Sequence, residues 1–248
     1  MNEYLKNLNK IEFVVTYACT GRCKHCSVGE HRSCESIDPE KSADAVRKIS
    51  SSYDIKTVMA FGGEPLLCMD AVLAIMSAAR EVGVPKRQII TNGFFSASHE
   101  KIRSVAESLF RVGVNDLLVS VDAFHQESIP LDTVRAFLNE ANRLGIPTRI
   151  QPAWLVSRED ENPYNERTRQ LLESLSELGI PESEGNVVFP EGNAKLYLSE
   201  YFKDGSPENP YEENPYDVRC VSFSPDGEVL GGNFYETDIA ELLSDYAP

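Results

Sequence analysis

The chain is short of basic residues, carries a single tryptophan, and has no long apolar run. Lys and Arg number 24 against 39 Asp and Glu, a formal net charge of −15. Nucleic-acid binding relies on clustered cations that neutralise phosphates, so this balance argues against a nucleic-acid partner and reads mainly as solubility. No stretch approaches the roughly 18 apolar residues of a membrane helix. The first residues, MNEYLKNLNK, lack the apolar region of a signal peptide. The expectation is a cytoplasmic chain with no membrane partner. Cysteine is sparse too: there are six in 248 residues, and Cys34, Cys68 and Cys220 are scattered. That is not the density of a small disulfide framework.

What is present describes a globular protein. Hydrophobic residues at 42 % and charged residues at 25 % suit one large core with a small C-terminal addition. From residue 11 to about residue 190, apolar strand patterns alternate with amphipathic helix patterns. The first strand, around Phe13-Val14-Val15, stops at Thr16-Tyr17. A helix follows from about Pro39 to Ser51, with Asp38 as N-cap and Pro39 as first helical residue. Later strands are expected at 57–61, 87–91, 116–121, 147–155 and 187–189. Helices lie between them, four ending at Gly83, Gly113, Gly145 and Gly179, and Ser98 opens the third. Repeated βα units predict a parallel α/β sheet with right-handed crossovers. The pattern alone allows a partial barrel or a doubly wound open sheet. Either way, the C-terminal ends of the strands form one functional rim.

The rim is where the chemistry-bearing residues fall. Cys19, Cys23 and Cys26 follow the first strand in one loop. Thiolates are soft ligands that suit zinc and iron–sulfur clusters, and three ligands leave one metal position open. Arg22 and Lys24 are expected to favour thiolates electrostatically. A zinc site completed by Cys34 is the rival reading of the same cysteines. Gly62-Gly63-Glu64-Pro65 follows the second strand, Thr91-Asn92-Gly93 ends the third, and Ser120-Val121-Asp122 ends the fourth. Taken alone, Asn92 also suits a turn and Asp122 a helix cap. His125 lies just past the fourth strand. Arg149 and Gln151 share one face of the fifth, where Trp154 suits packing.

The ordered set, C-x3-C-x2-C then GGEP then the two polar strand ends, resembles the radical S-adenosylmethionine (SAM) superfamily over roughly residues 11–155. The resemblance implies a partial (β/α)6 TIM-like barrel. It also implies a [4Fe–4S] cluster on Cys19, Cys23 and Cys26, whose fourth iron is chelated by the amino and carboxylate groups of SAM. His25 would pack near the adenine. Gly62 and Gly63 would receive the methionine amino group, with Glu64 supplying negative charge nearby. Asn92 and Asp122 would meet ribose hydroxyls, Ser120 the carboxylate or ribose, and Gln151 adenine or substrate. An external one-electron reductant of flavodoxin or ferredoxin type would drive cleavage of SAM to a 5′-deoxyadenosyl radical, which abstracts hydrogen from a substrate.

The core is expected over residues 1–195 and a C-terminal segment over 196–248. Residues 204–217, DGSPENPYEENPYD, read as a linker or surface loop. Beyond them, Val218–Phe223 and Glu228–Leu230 flank Ser-Pro-Asp-Gly as an expected β-hairpin. The stretch from Arg219 onward resembles the start of a SPASM or twitch extension, reduced here to the one cysteine Cys220. Phe189-Pro190-Glu191-Gly192-Asn193-Ala194 resembles the connection into such a tail. These features point to a peptide or protein side chain as substrate. A small-molecule radical SAM enzyme or a glycyl-radical activase is the second reading. A zinc-stabilised, non-catalytic binding module is the third.

Overall fold

Strand β1 (Lys10–Val14) buries Ile11 and Phe13 completely and lies between two parallel neighbours. On one side is β2 (Thr57–Phe61); on the other is a strand from the far end of the chain. The structure is a computed structural model that describes residues 2–29, 33–202 and 207–248. The first three residues of the expected linker 204–217 therefore lie outside the described residues.

The helices form where the local signals place them. In α1 (Pro39–Ser52) the Asp38 carboxylate accepts the Lys41 amide at 2.8 Å, and Pro39 occupies the first turn, where its missing N–H costs nothing. α1 packs on α2 (Met69–Glu81). Strand β3 (Lys86–Thr91) leads to α3 (His99–Val112), capped by Ser98 and ended by Gly113 at φ 78°. A left-handed residue of this kind is nearly free of strain only as glycine. Strand β4 (Asp116–Ser120) is buried at every position, as a central parallel strand must be. Then come α4 (Leu131–Arg143), β5 (Thr148–Gln151), β6 (Ala153–Trp154), α5 (Pro163–Leu175), β7 (Asn186–Val187) and α6 (Gly192–Tyr197). The chain ends with β8 (Cys220–Phe223), β9 (Glu228–Val229), β10 (Gly232–Asn233) and α7 (Ile239–Asp245).

The main sheet has six strands in the order β5-β4-β3-β2-β1-β8, every pair parallel. This is the parallel α/β sheet expected from the alternating pattern, and it is consistent with the partial barrel that the family resemblance implies. Three details differ. The fifth strand breaks at Pro152, which has no N–H for the ladder, so β6 leaves the main sheet and pairs with β7. The sixth strand of that sheet is therefore β8, on the opposite edge, and not residues 187–189. The hairpin is formed by β9 and β10 rather than by residues 218–223 and 228–230. Phe223 on β8 stacks on Phe13 of β1 at 4.8 Å between ring centroids, and Phe234 meets Phe223 edge-on at 4.9 Å. These aromatic contacts, about 0.5–1.5 kcal/mol each beyond area burial, hold the C-terminal strand against the strand that opens the cysteine loop.

Candidate active site

The loop after β1 is anchored by backbone before any side chain contributes. The amides of Gly63 and Glu64 donate to the carbonyls of Thr16 and Ala18, each at 2.8 Å. The approach is so close that a Cβ on Gly63 would stand 2.1 Å from the Ala18 oxygen, and one on Gly62, at φ 129°, 2.7 Å from that of Thr16. Only glycine fits either place. An ammonium is a donor, so one arriving here would be received by carbonyl oxygens.

The three cysteines share that loop. The sulfurs of Cys19 and Cys23 both lie within 3.6 Å of the point a Gly21 Cβ would occupy. The Cys19 sulfur accepts the Gly21 amide at 3.3 Å and the Asn92 side-chain amide at 3.5 Å. Burial raises the thiols of Cys19 and Cys23. The expected lowering by Arg22 and Lys24 does not occur. Arg22 is exposed, while Lys24 is paired with Glu127 at 2.9 Å and lies 5.7 Å over the Tyr164 ring. Deprotonation of these thiols must come from metal ligation itself.

Two of the predicted side chains are buried completely. Glu64 is 0 % exposed; its carboxylate accepts the Thr91 hydroxyl at 2.7 Å, the Asn92 amide at 2.8 Å and the Leu66 amide at 3.0 Å. Burial lifts its carboxyl to about 7 against the opposing pull of those bonds. It thereby joins the glycine turn after β2 to the end of β3. Asp122, also 0 % exposed, accepts the amides of Phe124, His125 and Ala153 and the Nδ1 of His125 at 2.7 Å. Burial alone would raise this carboxyl, but the interactions with His125 hold it low. In both cases the carboxylate is engaged within the chain and braces the rim.

Asn92 is brought to the cysteines: its Nδ2 reaches the Thr20 hydroxyl at 3.1 Å as well as Cys19. Ser120 sits buried at the end of β4, one strand further along the rim. Gln151 ends β5 but turns toward the β7 connection, donating to Asn186 at 3.1 Å and accepting from the Ser183 hydroxyl. His25 points into the molecule, against Phe124 at 4.8 Å and His125 at 4.9 Å, and burial pushes its imidazole down to about 4. Arg149 pairs with Asp116 at 2.6 Å at the other end of the sheet. Cys220 likewise starts β8 opposite Lys10, at the end of the sheet away from the rim, and burial raises its thiol.

Two functional neighbours escaped the sequence reading. Asn193 donates its side-chain amide to the Cys23 carbonyl at 3.1 Å and its backbone amide to that of Cys26 at 2.9 Å. Gly192, at φ 50°, lies so close that a Cβ there would stand 2.3 Å from the Ser27 oxygen and 2.5 Å from that of Cys26. The signal was present in the Glu-Gly-Asn run after the last expected strand, but nothing in that run shows what it touches.

Three soft donors on one loop, at the C-terminal rim of a parallel α/β sheet, define a metal-dependent enzyme of partial-barrel fold. The sequence profile of the Radical SAM superfamily matches residues 13–195, and the chain belongs to that superfamily. It is accordingly an enzyme that uses a [4Fe–4S] cluster and SAM. The donor set fits: three cysteines on one loop held by glycine contacts, with the Cys19 and Cys23 sulfurs converging beside Gly21. Among curated proteins, a probable GTP 3′,8-cyclase of Saccharolobus islandicus is 23 % identical over 209 residues, covering 81 % of this chain and 64 % of the relative. The GTP 3′,8-cyclase of Tolumonas auensis is 26 % identical over 136 residues, covering 52 % and 38 %. The chain thus spans less than two thirds of these relatives' length. Among solved structures, SuiB of Streptococcus suis bound to S-adenosylmethionine shares the fold at a TM-score of 0.64 and 14 % identity, covering 96 % of this chain and 66 % of that one. The AdoMet-bound anSMEcpe shares it at 0.59 and 12 %, covering 95 % and 80 %. Among the described residues no helix is long and apolar enough to cross a membrane.

Proposed function

We propose that this enzyme abstracts a hydrogen atom from a side chain of a peptide or protein. The observation that carries the reading is a depression of about 270 Å³ beside the cysteine loop, lined by Ala123, Gln126, Glu127, Pro163, Tyr164 and Arg167. Its walls offer one carboxylate, one guanidinium and an aromatic ring. Mixed polar groups of this kind suit a peptide. A triphosphate would call for several cations, and Lys24, which lies over the Tyr164 ring, is already paired with Glu127. The fold likeness also takes in SuiB solved with its precursor peptide SuiA, over 97 % of this chain. The second reading, a small-molecule substrate, is favoured by the GTP 3′,8-cyclases among the relatives.

When bound, the cluster supplies the electron that splits SAM into methionine and the 5′-deoxyadenosyl radical that takes the substrate hydrogen. The chain's own residues position the partners. Cys19, Cys23 and Cys26 would hold three irons, and the carbonyls of Gly62 and Gly63 would face the methionine ammonium. Asn92 and Ser120 would serve the ribose and carboxylate, with Glu64 and Asp122 fixing the loops that carry them. The electron would come from a flavodoxin- or ferredoxin-type reductant.

The experiment is anaerobic reconstitution followed by dithionite-driven turnover. Wild-type protein should be brown and form 5′-deoxyadenosine, and Cys23→Ala should do neither. Side-chain-deuterated peptides and GTP are then offered separately. Deuterium in 5′-deoxyadenosine from a peptide supports the proposal; stimulation by GTP alone replaces it with the small-molecule reading.

A further inference from the structure

Beside the cysteine trio lies a second donor set that shares only one member with it. One donor atom each from Cys23, His25 and His125 falls within 4.8 Å of the others. The His25 Nδ1 is buried with no hydrogen-bond partner among the described residues. A buried imidazole nitrogen without a partner is costly unless something else occupies that place. The His125 ring is oriented from behind: its Nδ1 is bonded to the Asp122 carboxylate at 2.7 Å, which leaves Nε2 as the free donor. Asp122 is itself fixed by the amides of Phe124, His125 and Ala153 at 2.9 to 3.1 Å, so the orientation is rigid. A carboxylate behind a histidine whose other nitrogen is free is the arrangement that orients imidazole ligands in metal sites.

We infer that Cys23, His25 and His125 form a site for a single tetrahedral divalent ion of the zinc type, occupied when the iron–sulfur cluster is absent. One thiolate and two imidazoles are a borderline-soft set that suits zinc or cobalt, with the fourth position left to water. Cys23 cannot serve both groups, so the two forms exclude each other. Zinc held here would block cluster loading, and loading would release it. This differs from a four-thiolate zinc site completed by Cys34, because it uses neither Cys19, Cys26 nor Cys34. Its donors sit on two elements, the cysteine loop and the turn after β4, and the ion would cross-link them in the metal-free chain.

The test is anaerobic titration of cluster-free protein with Co²⁺, which reports its own ligands. One ion per chain should bind, with thiolate-to-cobalt charge transfer in the near ultraviolet and the visible bands of tetrahedral cobalt. His25→Ala and His125→Ala should each weaken binding by more than the roughly tenfold typical of losing an outer-shell partner. Both variants should still take up the iron–sulfur cluster when reconstituted, which also shows that they fold. Cys19→Ala should do the reverse, keeping the cobalt spectrum and losing the cluster. Prior loading with Zn²⁺ should slow cluster reconstitution of wild-type protein. Cobalt binding that survives both histidine variants but is lost in Cys19→Ala would place the ion on the thiol trio and overturn the inference. Absence of the cobalt spectrum in the wild type would overturn it too. Because the cluster reading needs Cys19 and Cys26 and this one does not, each can fail alone.

Discussion

The buried carboxylate of Glu64 accepts the backbone amide of Asn92 at 2.8 Å, and Asn92 in turn reaches the sulfur of Cys19. The glycine turn after β2 and the end of β3 are thereby fixed to each other and to the metal loop. Glu64→Ala would leave the Leu66 and Asn92 amides buried without partners and the Thr91 hydroxyl with only the Gly93 amide. A loss on the order of 3 kcal/mol or more is expected in urea unfolding of the metal-free chain, with less iron retained after reconstitution. Unchanged stability and iron content would show that Glu64 does not brace the rim.

The same carboxyl sets a pH dependence. Its folded value of about 7 exceeds the ordinary 4.5, so between these the folded chain holds a proton that the unfolded chain has lost. Stability contributed by this group therefore falls as pH rises from about 4.5 to about 7, and levels off above. His25, depressed from 6.5 to about 4, acts oppositely over much of that window, so total stability hides the effect. Comparing wild type with Glu64→Gln cancels the histidine. The wild type should lose ground to the variant by on the order of 3 kcal/mol across that range. A pH-independent difference would refute the assignment.

Asn193 and Gly192 should matter to the cysteine loop although neither could ligate iron there. Asn193→Ala removes the bond to the Cys23 carbonyl and should destabilise the metal-free protein by about 1 kcal/mol. Gly192→Ala should be worse, because its Cβ would press on the carbonyls of Cys26 and Ser27 at a backbone angle that disfavours alanine. Iron per chain and visible absorbance after reconstitution should fall in the order wild type, Asn193→Ala, Gly192→Ala. Equal cluster content in all three would remove the contact from the site.

Cys220 supplies the opposite control. It starts β8 at the end of the sheet away from the rim. Cys220→Ser should leave the cluster spectrum, the iron content and SAM cleavage unchanged. A lost or shifted iron signal would place this thiol at a metal and contradict the strand register.

What the sequence made legible was local chemistry. Asp38 before Pro39, Ser98 before α3 and Gly113 after it all act within a turn of where they stand, so their roles can be read without the fold. The cysteine spacing is legible for the same reason. The glycine pair is legible as a motif, although the Thr16 and Ala18 carbonyls that exclude a side chain there come from a distant part of the chain. Pairing over long distances was not legible. Nothing in Cys220–Phe223 says that it lies beside β1, because an apolar alternation fits either edge of the sheet equally well. The inward turn of His25, the bracing roles of Glu64 and Asp122, and the grip of Asn193 depend on which loops meet. That is decided by the fold and not by neighbours in the chain.

β8 closes the outer edge of the strand that launches the metal loop, and it is synthesised long after that strand. Until it arrives, β1 offers an unpaired row of amides and carbonyls, and Phe13 lacks the ring that covers it. A nascent chain halted before residue 220 would thus carry its three thiols on a half-framed strand. A fully framed metal loop therefore awaits the arrival of Phe223.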